Sequence, residues 1–446
     1  MKKQIVESID WLQYQAASLL LYQNVLQQEP GLAYLQLVQA LSEYAYDDSS
    51  LKSLACLQAY GRWFKSLAQR NQNWQDYLVG QILWDHNPFS QQVQKVKLED
   101  LPSAIVAATH FDLQILHGLY KIDSKTLSQW VQVATDRSLP LLESSNHIAE
   151  SDCPLKHKLK HLENWADSIE DLAAHYQQNG TGIFAQFRAL RWDGGQLIGI
   201  PTPDSIDLRS LVGYESQRDV LLKNTEFFLA GYAALHVLLF GSRGSGKSSL
   251  VKSLVTKYSD RGLRLIEVAK SDLKDLPTIM ETLRDVPQKF ILFVDDLSFE
   301  EDDDSYKALK VLLEGNLTAR PPNLIIYATS NRRHLIREFY SDRPRPSDAD
   351  EVHAWDTMQE KLSLSDRFGL TLTFVSADQE TYLKIVRHLA MEAGIKLSDE
   401  DLEFRALQWA TRHNGRSGRT ARQFIDFLQA DLFIDKTSNP YSLSNP

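Results

Sequence analysis

The 446-residue chain carries only two cysteines and four methionines. Cys56 and Cys153 lie far apart and suggest neither a disulfide framework nor a zinc site, so both are expected to be ordinary thiols. No apolar run approaches the roughly 18 residues of a membrane span. The N-terminus, Met1-Lys-Lys-Gln-Ile, reaches Glu7 and Asp10 before an apolar core builds, which makes it a poor secretory signal. Positive charge is also short: 48 Lys and Arg stand against 58 Asp and Glu, a formal net charge of −10. That balance argues against nucleic-acid binding by the whole surface, while leaving room for a local basic channel. Together these absences predict a cytoplasmic globular protein with no membrane partner. The length predicts two or three domains.

Residues 1–200 read as mostly helical. Ile5, Ile9, Leu12, Ala16 and Leu19 recur at spacings of four and three, the stripe of an amphipathic helix. Glu29-Pro-Gly31 separates it from a second helical segment through Leu41. Trp63, Phe64, Trp74, Trp84 and Trp130 fall at spacings that suit core better than a ligand platform, and Lys156-His-Lys-Leu-Lys-His161 reads as a solvated helix face. No catalytic constellation stands out here. Asp193-Gly-Gly-Gln and Gly199-Ile-Pro-Thr-Pro-Asp204 mark a boundary. Residues 201–375 then alternate continuous apolar strands with helices, the pattern of a parallel sheet covered on both faces. The strands are expected at 235–240, 263–268, 290–294, 324–328 and 370–374. Residues 376–446 return to helical periodicity as a small C-terminal domain.

The strongest signal is Gly241-Ser-Arg-Gly-Ser-Gly-Lys-Ser248, a complete Walker A sequence between an apolar strand and a helix. Gly241, Gly244 and Gly246 let the backbone fold tightly, so that N–H groups of Ser242, Arg243, Ser245 and their neighbours through Ser249 can face phosphate oxygens. The helix N-terminus adds its partial positive charge. Lys247 would reach the β- and γ-phosphates, and the Ser248 hydroxyl would complete magnesium coordination. The third strand ends in Asp295-Asp296, a Walker B pattern whose acids belong beside the phosphate loop. Asp295 is the expected magnesium ligand, directly or through water. Asp296 stands where a water-orienting glutamate is usual and is one methylene shorter, so either the water sits closer or Glu300 contributes. Glu300-Glu-Asp-Asp-Asp304 reads most simply as a solvated acidic loop, with a second metal site or a basic-partner contact as the sharper alternative.

The fourth strand leads to Asn331, a candidate γ-phosphate sensor, followed by Arg332, Arg333 and His334, read by default as surface ion-pairing residues, with a subunit interface or contact with a polyanion as the alternatives. Arg367, just before the last strand, is a candidate arginine finger for a neighbouring subunit, because guanidinium stays charged and grips phosphate bidentately. The alternative is an ion pair within its own subunit, with Asp366 or another acid. Arg419, at the entrance of the final helix, is the favoured lid arginine, with Arg416 and Arg422 behind it.

In this order, Walker A, the paired Walker B aspartates, Asn331, Arg367 and Arg419 resemble AAA+ ATPases, P-loop proteins with a helical lid. Leu211-Val-Gly-Tyr-Glu215 resembles their adenine-cradling loop, which brings in Val212 and Gly213 and implies ATP over GTP. The Asp-Arg-Phe-Gly stretch is similar to that of the Holliday-junction branch-migration motors, and the Asp295-Asp296 pair to bacterial replication initiators and their loaders. Asn224-Thr-Glu-Phe-Phe-Leu229, Asp295-Asp-Leu-Ser-Phe-Glu300, Tyr327-Ala-Thr-Ser-Asn-Arg-Arg-His-Leu335 and Lys361-Leu-Ser-Leu-Ser-Asp-Arg-Phe-Gly369 resemble the bacterial domain of unknown function 815 family over residues 195–435. The resemblance implies an α/β AAA+ core, ATP and Mg2+, and a homo-oligomer, ring or hexamer. Three uses of the energy compete: remodelling of a protein client held by residues 1–200, a slow nucleotide switch or loader, and a nucleic-acid motor.

Overall fold

A computed structural model describes residues 3–142, 153–299, 305–314, 321–332, 335, 364–413 and 415–438. The chain divides into two units, Met1–Gln186 and Phe187–Pro446. The expected boundary near residue 200 therefore moves back. The Gly194-Gly195 pair read as part of a linker is instead a hairpin turn. Both glycines have positive φ (57° and 84°), the conformation that two-residue hairpins require. The turn joins β1 (Ala189–Asp193) to β2 (Gln196–Gly199), and β1 pairs in parallel with β4 (Leu263–Glu267) of the same unit.

The first unit is helical throughout its described residues, with α1 (Lys3–Ala17), α2 (Glu29–Tyr46), α3 (Ser50–Ala68), α4 (Trp74–Trp84), α5 (Pro88–Val93), α6 (Ser103–Lys121), α7 (Ser124–Thr135), α8 (Pro154–His161), α9 (Ile169–Asn179) and α10 (Gly182–Gln186). Pro30 does not break a helix but opens α2 from its first turn, where the missing N–H costs nothing. Asn73 and Asn87 cap α4 and α5 through their side-chain oxygens. Trp63, Trp74 and Trp165 are fully buried, with Tyr34 stacked on Trp74 at 4.1 Å. Cys56 is buried, donates to the Ala40 carbonyl at 3.3 Å, and has its thiol pushed up to about 11 by burial, so it is an inert core residue. On α8, Lys156 and Lys160 both reach Asp76, at 3.3 and 3.4 Å. Part of this basic face is thus ion-paired rather than solvated.

A buried carboxylate organises the entry to α2. Asp112, with no exposed surface, accepts hydrogen bonds from the backbone N–H groups of Leu20, Leu21 and Tyr22, at 2.9, 2.7 and 2.9 Å. These donors lie in a segment between helices that has no ladder of its own.

The second unit carries a seven-stranded sheet in the order β2-β1-β4-β5-β6-β3-β7. Here β3 is Val237–Gly241, β5 Lys289–Val294, β6 Leu324–Ser330 and β7 Leu370–Phe374. All neighbouring pairs are parallel except β1 with β2. Every residue of β6 is buried and β5 is buried from Phe290 to Val294, as a sheet covered on both faces demands. The covering helices are α11 (Glu215–Leu229), α12 (Lys247–Tyr258), α13 (Leu276–Leu283) and α14 (Ser305–Glu314). β3 begins two residues later than the apolar run suggests. The Asn224 side chain takes both the N–H and the carbonyl of Leu235, at 3.0 and 2.9 Å, and ties that residue to α11. The lid comprises α15 (Gln379–Glu392), α16 (Asp399–Arg412) and α17 (Gly418–Ser438), packed around Tyr382, Val386, Leu402, Ala406 and Phe424.

Replacing Asp112 by Ala leaves buried N–H groups without an acceptor. We expect a loss of about 2–4 kcal/mol, read as a lower denaturation midpoint by far-ultraviolet circular dichroism. An unchanged midpoint would show that water replaces the carboxylate.

Candidate nucleotide-binding site

Parallel strands place their C-terminal ends along one edge of the sheet, and here β3, β5 and β6 deliver the Walker A loop, the two aspartates and Asn331 to that edge. The loop depends on its glycines. Gly241, the last residue of β3, pairs with Phe374 of β7 and has φ 140°. A Cβ there would lie 1.9 Å from the Phe374 carbonyl oxygen. That same oxygen accepts the Ser242 N–H at 2.9 Å. The chain turns into the loop by pressing its backbone against β7, which only glycine permits. Gly246, with φ 87°, directly precedes α12.

Inside the loop Lys247 is buried, and its ammonium donates to the carbonyls of Gly241 (3.1 Å) and Ser242 (2.7 Å) and to Asn331 Oδ1 (3.3 Å). Burial holds its pKa below the ordinary lysine value, opposed by the charges of Asp295 and Asp296 and reinforced by that of Arg419. The Asp295 Oδ1 atom accepts from Ser248 Oγ at 2.6 Å, from Thr329 Oγ1 at 2.5 Å and from the Asp296 N–H at 3.2 Å. Asp296 sits in the left-handed region, at φ 51°, a conformation uncommon for a non-glycine residue. Its carboxylate accepts from Asn331 Nδ2 at 2.5 Å. Asn331 thus bridges Lys247 and Asp296.

These groups line a cavity of about 960 Å³. Among the expected nucleotide-binding residues, Val212, Arg243, Gly244, Ser245, Gly246, Lys247, Ser248 and Ser249 form its wall, with Asp295, Asp296, Asn331 and Arg419. Gly213, Gly241 and Ser242 shape the loops behind that wall. Arg422 also lines the cavity, whereas Arg416 reaches Gln379 at 3.2 Å. Arg367 belongs to a short 3-10 turn, Ser365–Arg367, and is not among the lining residues. Glu300 and the acidic run to Asp304, together with Arg333 and His334, lie outside the described residues. Tyr214, within the expected adenine-cradling loop, also lines the cavity, whereas sequence reasoning missed Thr329, Arg218, Gln423 and the apolar wall of Ile206, Phe374, Ile385 and Leu389. Thr329 had a signal, since it lies two residues before Asn331 on a strand. The rest of the apolar wall had none, because it assembles from three separate parts of the chain.

The lid touches the loop directly. The Arg419 N–H donates to the Gly244 carbonyl at 3.1 Å. On the other side Glu215 accepts from Lys384 of α15 at 2.7 Å and from the Gly213 N–H at 3.2 Å. The Lys384 hydrogen bond is the main reason the Glu215 carboxyl is held down to about 2. Ser210 donates to Glu392 at 2.7 Å.

The donor set suits a magnesium nucleotide: a loop rich in N–H groups, a buried lysine, and a hydroxyl paired with a carboxylate. Sheet order, glycine loop and helical lid define an AAA+ P-loop protein with a nucleotide-binding fold. Residues 185–432, over half of the chain, match the model of the family described as a protein of unknown function, DUF815, and the chain belongs to that family. No curated protein matches the chain. Among solved structures, the Thermotoga maritima RuvB Holliday junction branch migration motor is similar at 15% identity, covering 50% of this chain and 72% of its own, with a TM-score of 0.31. The FIGL-1 AAA domain in complex with ADP is similar at 19% identity, covering 54% and 78%, with a TM-score of 0.35. At these scores the class rests on the sheet and the loop themselves. Among the described residues no helix is long and apolar enough to cross a membrane.

The three loop glycines are not equivalent. Gly241→Ala drives a Cβ into backbone and is expected to abolish nucleotide binding and lower the melting temperature of the second unit. Gly246→Ala meets nothing closer than Leu211 Cδ2 at 3.7 Å and should cost only the left-handed strain of about 1–2 kcal/mol. Thermal melts and nucleotide titration of both variants decide this; equal effects would contradict the geometry.

Proposed function

We propose that this chain is a magnesium-dependent ATPase whose active site is completed by a second copy, working as a homo-oligomer, ring or hexamer, to remodel a protein client or partner complex. The observation that carries the reading is the joined network of Lys247, Ser248, Asp295, Asp296 and Asn331 at the mouth of one glycine loop. In this reading Lys247 turns from the Gly241 and Ser242 carbonyls to the β- and γ-phosphates. Ser248 and Asp295 hold magnesium, which when bound neutralises charge on the phosphate oxygens. Asp296 orients the attacking water once Asn331 lets go of its carboxylate, and Asn331 then faces the γ-phosphate. Arg419 and Arg422 bring the positive charge of the lid to the same cavity. The apolar wall beside Val212 favours a purine base.

Arg367 is assigned to the neighbouring subunit. In support, it lies just before β7 and does not line the cavity of its own chain. The client is assigned to the first unit, because that unit has its own core and its residues up to 184 lie outside the family match.

A second reading is favoured by one contact. Because Asp296 is short and held by Asn331, the protein can act as a slow switch or loader that binds ATP and turns over only when a partner frees the acid. The net charge of −10 weighs against a nucleic-acid motor.

The test is ATP turnover against protein concentration for the wild type, Lys247→Ala, Arg367→Ala and an equal mixture of the two variants. Specific activity should rise with concentration, and Arg367→Ala should lose about 10³-fold or more. The mixture should recover part of the activity, since an intact loop then meets an intact arginine. A monomer with full turnover that ignores Arg367→Ala would refute the shared site. Tight binding without turnover at any concentration would select the switch.

A further inference from the structure

Thr329 lines the cavity, but the motif that contains it assigns it no role of its own. It is 1% exposed, in the buried C-terminal half of β6, yet it holds both aspartates. Its hydroxyl has one proton and two acceptor positions, and the contacts fix how they are used. The proton goes to Asp295 Oδ1 at 2.5 Å, and the oxygen accepts the Asp296 N–H at 2.9 Å. The Thr329 carbonyl accepts the Leu297 N–H at 2.7 Å, and the neighbouring Ser330 hydroxyl donates to the Leu297 carbonyl at 2.7 Å. β5 and β6 run in register up to Val294 opposite Ala328. One residue further, the regular ladder gives way to this clamp of side-chain and backbone bonds. The clamp turns the chain so that Asp296 takes φ 51°, which swings its carboxylate to Asn331. All three donors to Asp295 converge on Oδ1. Among the described residues no hydrogen bond reaches Oδ2.

We infer that Thr329 is the positioning residue of the acid pair: it sets which oxygen of Asp295 is left for the metal side, and thereby sets magnesium affinity. The inference rests on the magnesium-nucleotide reading of the site. A threonine kept only to fill β6 would be replaceable by valine, which has the same shape and the same preference for strands. A positioning threonine is replaceable by serine, which keeps the hydroxyl and loses the methyl.

The measurement is binding of a fluorescent ATP analogue to the full chain, titrated with magnesium, for the wild type, Thr329→Val, Thr329→Ser and Lys247→Ala. Removal of such an outer partner costs 10–100-fold in metal affinity, so Thr329→Val should raise the magnesium midpoint by about 10-fold or more while leaving magnesium-free binding within about twofold. Thr329→Ser should stay close to the wild type. If valine prevents folding, judged by circular dichroism, Thr329→Ala removes the same hydroxyl without adding volume and is read in the same assay. An unchanged midpoint in the hydroxyl-free variant overturns the inference, as does a serine variant as impaired as valine. Either result leaves the site reading intact if wild-type binding is magnesium-linked and Lys247→Ala abolishes it. Wild-type binding that ignores magnesium, or survives Lys247→Ala, removes the site reading and this inference with it.

Discussion

A carboxylate at the end of a strand that is buried on both faces has to be solvated by protein. β5 brings Asp295 to that position after five buried apolar residues, and the rest of the site follows from how the charge is met. Three donors supply the solvation: a hydroxyl from the helix after the glycine loop, a hydroxyl from β6, and the next amide of its own chain. Hydrogen bonds to a charged acceptor are shorter and stronger than neutral ones. They therefore fix three elements that share no sequence proximity. The order of the sheet matters for the same reason, since β6 lies between β5 and β3 and its C-terminal end reaches both the aspartates and the glycine loop.

The lysine faces the complementary problem. A buried ammonium without a counterion is costly, and Lys247 meets it with two loop carbonyls and Asn331. Asn331 in turn donates to Asp296. Cation, amide and acid form a chain whose middle member has one acceptor and one donor group to offer. Any anion that draws the lysine away takes a donor from Asn331 and disturbs its hold on Asp296. In the proposed reading, two hydrogen bonds would couple phosphate arrival to release of the acid. The lid is wired to the same loop by the contact from Arg419 to Gly244, and to the Gly213 loop through Lys384 and Glu215. The exposed ion pair adds little stability by itself, but it fixes the register between α15 and the loop.

Much of this was legible in the sequence because it follows from local rules. The glycine loop, the acids at a strand end and the buried strands announce themselves by residue type and periodicity. The helical character of the first unit and its tryptophan core were readable for the same reason. What escaped was set by distance in the chain. Nothing local says that Asn224 will take the backbone of Leu235 and delay β3. Nothing local tells a Gly-Gly turn inside a hairpin from the same pair in a linker, until β1 is seen beside β4. Thr329 was hidden differently: a β-branched residue in a strand needs no explanation, so its hydroxyl drew no attention.

The shorter acid and the clamp belong together. A glutamate at 296 would carry its carboxylate one methylene further from the backbone. With aspartate, reach has to come from the main chain, and a left-handed residue at the end of β5 changes the direction in which the side chain leaves. The clamp supplies that turn by engaging the amides of Asp296 and Leu297 from a single residue. Strain of this kind persists only where the surroundings over-determine it, and here five hydrogen bonds made with Thr329, Ser330 and Asn331 do so. The short reach of Asp296 is therefore matched by local backbone geometry that brings its carboxylate to Asn331.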